Sequence, residues 1–284
     1  MNFIDFCRSH GIIINEIPEI GVWKRYRTED HPNKKNGAVK FMGTHGFVQN
    51  HAINSAVSVW KPDSLDRLNM PDTRAIVISQ ARAEQERRKM QTAAVGKAVA
   101  LLNDSDMRPH EYLKAKGFPD EIGNILDMDG KPVLLIPMRV GKSLVGIQQI
   151  WPDGTKKFLY GQRTSQATFT FDNKGMNIVC EGYATALSVR AAMKQLKRRY
   201  TIHVCFSAGN MVRVAEGLEP GLVIADNDVS GTGQKAAEEI GWPVWMSEVV
   251  GQDFNDYHRQ HGLFRTSQSL TEKLLQMQAN KIYF

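Results

Sequence analysis

The sequence predicts an α/β protein: a parallel sheet covered by helices in the last third, preceded by a mixed α+β segment and a small β-rich one at the N-terminus. Three observations carry this. Beyond residue 173, apolar runs of strand length alternate with helical patterns, the signature of a parallel sheet flanked by helices. Ahead of residue 79, short strand-like stretches are separated by turn residues. Between the two stands a long run of strong helix formers without proline. With 284 residues and 42% apolar content, the chain can bury a substantial core and divide into domains.

The β-rich segment is expected over residues 1–78. "GIIINEIPEIG", "VWKRYRTED", "GAVKFMG", "GFVQNHA" and "AVSVWKPD" read as its strands, and the Asn-Gly of "KKNGAVKF" reads as a tight hairpin. Basic residues interleaved with aromatics suit single-stranded nucleic acid, because phosphates attract cations and every base has a face to stack. Trp23, Lys24, Arg25, Arg27, Lys34 and Lys35 are the candidates, with Tyr26 and Lys40 beside them; an ordinary solvated β surface is the alternative. Residues 79–104 are expected to form a connecting helix, polar in its first half and apolar on one side in its second, so that only its far end docks.

Residues 105–172 read as a short helix at "RPHEYLKAKGF" followed by strands at "PVLLIPMR", "SLVGIQQIW", "KKFLY" and "ATFTF", with turns at "DMDGK" and "PDGTKK". Residues 173–264 alternate strand and helix: "MNIVCEG", "YATALSVRAAMKQLK", "IHVCFSAG", "NMVRVAEGL", "GLVIADND", "GTGQKAAEEIG" and "WPVWMS". Residues 265–284 carry an amphipathic pattern with Leu270, Leu274 and Met277 on one side, a helix that closes the domain or docks a partner.

No run approaches the roughly 18–20 apolar residues of a membrane span, and "MNFIDFCRSH" is charged where a signal peptide is apolar; a cytoplasmic protein that meets no membrane is expected. The three cysteines, Cys7, Cys180 and Cys205, are far apart and have no zinc-ligand spacing, so reduced core thiols and no zinc are expected. The net charge of +6 is concentrated ahead of the parallel sheet, +2 over residues 1–80, +4 over 81–166 and 0 thereafter, which fits contact with a polyanion. Arg139, Lys142, Lys156 and Lys157 could line one groove and hold template or nucleotide phosphates.

In a parallel sheet, ligands gather at the carboxyl ends of the strands. Glu181 ends the first such strand, Ser207, Gly209 and Asn210 follow the second, Asp226 and Asp228 the third, and Asp253 lies after the fourth. Carboxylates collected at one edge repel one another unless a cation joins them, and hard oxygen donors suit Mg²⁺ or Mn²⁺. One aspartate in this setting is as well explained as a helix cap. Asp-x-Asp with a glycine-bearing loop and a neighbouring glutamate favours a metal site.

"IVCEGYATALSV", "FSAGN", "LVIADNDVSGTGQKAA" and "GQDFNDYH" together resemble a Toprim domain, the Rossmann-like catalytic fold of bacterial-type primases, topoisomerases and some nucleases. "LLIPMRVGKSLVGIQQIWPDGTKKFLYG" is similar to the segment that forms the other wall of the polymerase cleft in primases of phages and plasmids. The resemblance implies Glu181 as the Toprim glutamate, Asp226 and Asp228 as the metal pair, Asp253 as a further acidic ligand, and Lys157 and Arg139 as cleft cations. Ser207, Gly209 and Asn210 join the nucleotide-binding candidates. It further implies a DNA primase that makes short RNA primers from ribonucleoside triphosphates on a single-stranded DNA template with Mg²⁺ or Mn²⁺, for a phage or other mobile element, with a replicative helicase as a candidate partner. The sequence departs from that pattern in three places: the N-terminal segment lacks zinc-ribbon cysteines, Gln148, Gln149 and Ile150 stand where glycine-glycine-arginine is common, and Asn255 stands where a carboxylate is common. The rivals are a Toprim nuclease and a degenerate primase that only binds DNA or recruits a helicase.

Overall fold

A computed structural model describes residues 1–53, 56–62 and 73–281. The end of the expected β-rich segment, residues 63–72, and the last three residues of the expected C-terminal helix lie outside them. The chain forms two compact units, Met1–Lys89 and Met90–Phe284.

The first unit opens with helix α1 (Phe3–Ser9), capped by Asn2, whose side chain accepts from the Asp5 N–H. Strands β1 (Ile12–Ile13), β2 (Lys24–Thr28), β3 (Gly37–Phe41), β4 (Gly46–Asn50) and β5 (Ser58–Trp60) form one antiparallel sheet in sequence order. Its core gathers Phe3 and Cys7 of α1 against Val39, Phe41, Val48 and Trp60. The Phe3 ring centroid lies 4.9 Å from that of Phe41 and 5.3 Å from that of Trp60. A Cβ on Gly46 would fall 2.1 Å from the Phe3 ring, so only glycine lets α1 lie this close to the sheet. The Asn-Gly hairpin expected at residues 36–37 does not form. Residues 29–36 connect β2 to β3, and Gly37 is itself a strand residue paired with Tyr26, its missing side chain making room for Ile12.

Helix α2 (Thr73–Asn103) begins in the first unit and ends in the second. Its near half is exposed and laced by Glu84 with Arg87 and Arg88 and by Glu86 with Lys89. Its far half buries Ala94 and Ala98 against Val133, Leu135, Ile147 and Leu159.

The second unit holds two further sheets. Strands β6 (Asp106–Pro109), β7 (Ile122–Met128), β8 (Lys131–Val140), β9 (Ser143–Ile150) and β10 (Lys156–Phe158) form an antiparallel sheet, with helix α3 (Glu111–Ala115) between the first two. The two-residue loop Asp129-Gly130 closes the β7–β8 hairpin with positive φ at both positions, the conformation that "DMDGK" announces. One face of β8 meets α2 and the other contributes Leu134, Ile136 and Met138 to the main core, which is why "VLLI" is a continuous apolar run instead of an alternating one. Strands β6 and β7 are not marked by any strand pattern in the sequence.

The third sheet comprises β11 (Phe169–Asp172), β12 (Met176–Cys180), β13 (Tyr200–Val204), β14 (Leu222–Ala225) and β15 (Val244–Met246), in the order β11-β13-β12-β14-β15. Its last four strands are parallel, and β11 is an antiparallel edge. Sequence order alone groups "ATFTF" with the preceding strands; the chain instead carries it across to pair with β13. Helices α4 (Tyr183–Gln195) and α7 (Phe254–Lys281) pack on one face, α5 (Ala208–Ala215) and α6 (Thr232–Ile240) on the other. Helix α7 bends at Gly262, whose φ of 75° leaves the helical region, and Leu270 and Leu274 beyond the bend are buried in the main core.

Candidate active site at the ends of the central strands

The connection from β12 passes through α4 on one face and the connection from β14 through α6 on the other, so the chain parts between these two paired strands. A crevice outside the carboxyl ends forms at such a switch point. Glu181 follows β12 and Asp226 follows β14, one on each side of it.

Asp226 is the most perturbed carboxyl group of the site. Burial raises its pKa to about 7, and the nearby charges of Asp253, Glu181 and Asp228 push in the same direction against the pull of Lys156. Its Oδ1 is buried without a hydrogen-bond partner among the described residues. The pKa of Glu181 is also raised by burial, while Lys156 and a hydrogen bond from the Ala208 N–H, at the start of α5, oppose the shift.

Asp228 is in a different position. It accepts from the Ser230 hydroxyl and, at 3.4 Å each, from the N–H groups of Thr232 and Gly233, so it caps α6, and these bonds hold its pKa below the usual carboxylate value. The loop glycines serve that turn: Gly231 takes φ of 66°, and a Cβ on Gly233 would sit 2.3 Å from the Asp226 carbonyl oxygen. Asp253 caps α7, accepting from the Asp256 N–H at 2.7 Å, and lies close enough to Asp226 to raise its pKa.

Among the described residues no three His, Cys, Asp or Glu side chains are grouped as a ready metal cage. The donor chemistry still fits a hard cation, because Mg²⁺ uses one or two carboxylates and fills its other positions with water and substrate phosphate. The orphaned Oδ1 of Asp226 is an oxygen donor held in place without a partner.

Strand β10 brings in the positive charge. Lys156 and Phe158 share one face of it by alternation, and Lys156 acts electrostatically on both Glu181 and Asp226. Lys157 points to the opposite face, its ammonium 4.9 Å from the centre of the Trp151 ring. Of the two lysines in "KKFLY", the structure therefore brings Lys156 to the carboxylates. Arg139, at a bulge in β8, donates to the Lys142 carbonyl, and both residues are exposed. Position 150, where an arginine was missing, is wholly buried in the main core.

The candidates after β13 divide. Ser207 caps α5 by accepting from the Asn210 N–H, and Gly209 leaves open space around its missing side chain. Asn210 is 4% exposed: its amide donates to the Ala167 and Cys205 carbonyls and its oxygen accepts from the Gln166 N–H. Both its amide N–H groups and one lone pair of its oxygen serve the fold, so it ties the 166–167 segment to α5. Asn255 is also buried, donating to the Lys116 carbonyl and the Ser188 hydroxyl. Cys180 and Cys205 are buried, and burial drives both thiols well above their ordinary pKa, which makes them inert.

Two residues of the site are not among the sequence candidates. Phe206 holds φ of 67°, rare for a bulky residue, at the turn where β13 hands over to the Ser207 cap; its N–H donates to the Glu181 carbonyl. Phe158 stands edge-on to it with centroids 6.3 Å apart. Period-two alternation from Lys156 is the signal that could have found Phe158; nothing in the sequence marks a left-handed phenylalanine.

Residues 176–263 match the family description "Toprim domain". This segment is a Toprim domain. The site just described lies inside it except for Lys156 and Phe158, which the preceding sheet supplies. The chain is also 25% identical over 255 residues to DNA primase TraC of Escherichia coli, an alignment covering 80% of this chain and 23% of that protein. A second DNA primase TraC of Escherichia coli is 25% identical over 230 residues, covering 72% of this chain and 15% of that protein. The chain thus spans less than a quarter of the length of these curated relatives. The Toprim domain and this similarity together support kinship with Toprim-containing primases of the plasmid and phage type.

Proposed function

We propose that this chain synthesises short RNA primers on single-stranded DNA for a phage, plasmid or other mobile element. The carrying observation is the orphaned, strongly perturbed Asp226 facing Glu181 across the switch point of a Toprim domain, with Lys156 of the neighbouring sheet acting on both. Glu181, Asp226 and Asp228, with Asp253 behind them, would hold Mg²⁺ or Mn²⁺, which neutralises triphosphate oxygens and the departing pyrophosphate when bound. Lys156 orients an incoming ribonucleotide by its phosphates. Glu181, whose pKa burial raises, is better suited than a solvated carboxylate to take up a proton. Arg139 and Lys142 guide the template backbone along the exposed end of the β8–β9 hairpin.

The test is primer synthesis on single-stranded DNA of mixed sequence with labelled ribonucleotides and Mg²⁺ or Mn²⁺. Wild type should yield short RNAs that Asp226→Asn abolishes; a wild type that makes none on any template overturns the reading. In parallel, Mg²⁺ should raise the melting temperature of wild type and leave that of Asp226→Asn unmoved, as ligand linkage requires.

A further inference from the structure

Phe158 and Phe206 stand beside the carboxylates without a part in the chemistry above. Phe158 lies on β10, an edge strand of its sheet, and is 42% exposed. It belongs to none of the hydrophobic clusters among the described residues, so the core does not account for it. The ring it meets is Phe206, in a T-shaped contact that covers one side of Phe158 and leaves the rest open.

Phe206 is 8% exposed and anchored in the main core. A bulky residue takes a φ of 67° only where its surroundings impose it. Here the hydrogen bond from its N–H to the Glu181 carbonyl and the Ser207 cap that follows hold the turn. The support for Phe158 is thereby tied to the residue that carries the Glu181 carboxylate. Lys156 stands two residues from Phe158 on the same face of β10, roughly 6–7 Å along the strand, and acts on both Glu181 and Asp226. A cation and an open ring side by side match the two ends of a nucleotide, its phosphates and its base.

We propose that Phe158 is the platform on which the base of the incoming nucleoside triphosphate stacks while Lys156 takes its phosphates. The proposal rests on the reading of this crevice as a nucleotide-polymerising site. A template base is the poorer occupant: Arg139 and Lys142, the proposed guides of the template backbone, flank the turn of the β8–β9 hairpin, whereas Phe158 is opposite Gln148, well along β9 from that turn. Every base has a π-face, so one ring serves all four nucleotides, as a templated reaction requires.

The test measures binding of ATP, UTP and inorganic tripolyphosphate to the full chain by calorimetry, with Mg²⁺ and without DNA. Phe158→Leu, at an exposed position that spares the core, should weaken ATP and UTP about fivefold or more and leave tripolyphosphate unchanged. Phe158→Tyr, which keeps a ring, should bind all three as wild type does. Lys156→Ala should weaken all three, because they share the phosphates. Tyr160→Leu, which removes a ring that is 87% exposed, should change none of them. Primer synthesis measured on the same preparations separates the platform from the reading it rests on. A wild type whose nucleotide binding depends on the Phe158 ring but which makes no RNA overturns the polymerising reading and leaves the platform standing. A folded Phe158→Leu protein that binds ATP as wild type does overturns the platform, whether or not wild type makes RNA. A wild type that binds no nucleotide also overturns it, as does a Phe158→Leu protein that loses tripolyphosphate and ATP in equal measure, which would mark the ring as structural.

Discussion

At Asp226 the proposed metal-binding role would come at a cost to stability. A carboxylate whose buried Oδ1 has no hydrogen-bond partner among the described residues, set near Glu181, Asp228 and Asp253, opposes folding whenever it is ionised. Asp226→Asn should therefore stabilise the metal-free protein at pH 8, by on the order of 1–2 kcal/mol, as read by thermal or urea unfolding, while abolishing activity. A second contrast belongs to this scale. Lys156→Ala should lower kcat/KM for primer synthesis by on the order of a hundredfold, the usual loss for a preorganised charge contact. Lys157→Ala, which removes a cation from above Trp151, should cost less than about tenfold. Strand alternation decides between the two lysines, and a sequence motif alone does not.

At the scale of the element, the turn from β14 into α6 is the tightest joint of the site. Gly233→Ala would drive a methyl group into the Asp226 carbonyl oxygen and displace either α6 or the strand end. We expect a loss of about 1–3 kcal/mol in urea unfolding, with an activity loss larger than a surface change of equal destabilisation produces. Gly209→Ala, within α5 and facing open space, should be neutral or slightly stabilising. The carboxylates of this joint were legible in "ADNDVSGTGQ", because the two acids and the glycines directly follow an apolar strand run. Their different settings were not legible: capping and metal binding ask for the same residue type, and only the hydrogen bonds show Asp228 accepting at the start of α6 and the Asp226 Oδ1 without a partner among the described residues.

At the scale of the whole molecule, pH acts through buried histidines. Burial lowers the pKa of His203, which makes contacts with Thr170 and Asn177, and also that of His258, beside Ser188. A histidine kept neutral by the fold contributes stability that is present above its ordinary value of about 6.5 and is lost as pH falls through its lowered folded value. This contribution opposes the relief of Asp226 on acidification, so it is read by difference: between about pH 7 and pH 5, His203→Gln should lose less stability, or gain more, than wild type in a series of urea titrations. No helix among the described residues is long and apolar enough to cross a membrane. The sequence by itself determined the alternation of strands and helices in the last third, the identity of the acidic strand ends and the Toprim resemblance, because period, turn residues and short motifs are local properties of the chain. Tertiary structure alone decided that β11 crosses to the third sheet, that Lys156 and not Lys157 meets the carboxylates, that Asn210 ties the 166–167 segment to α5, and that Trp23 and Phe47 stand side by side. Each of these depends on register and packing between residues distant in sequence, and a local pattern carries no record of which distant partner wins.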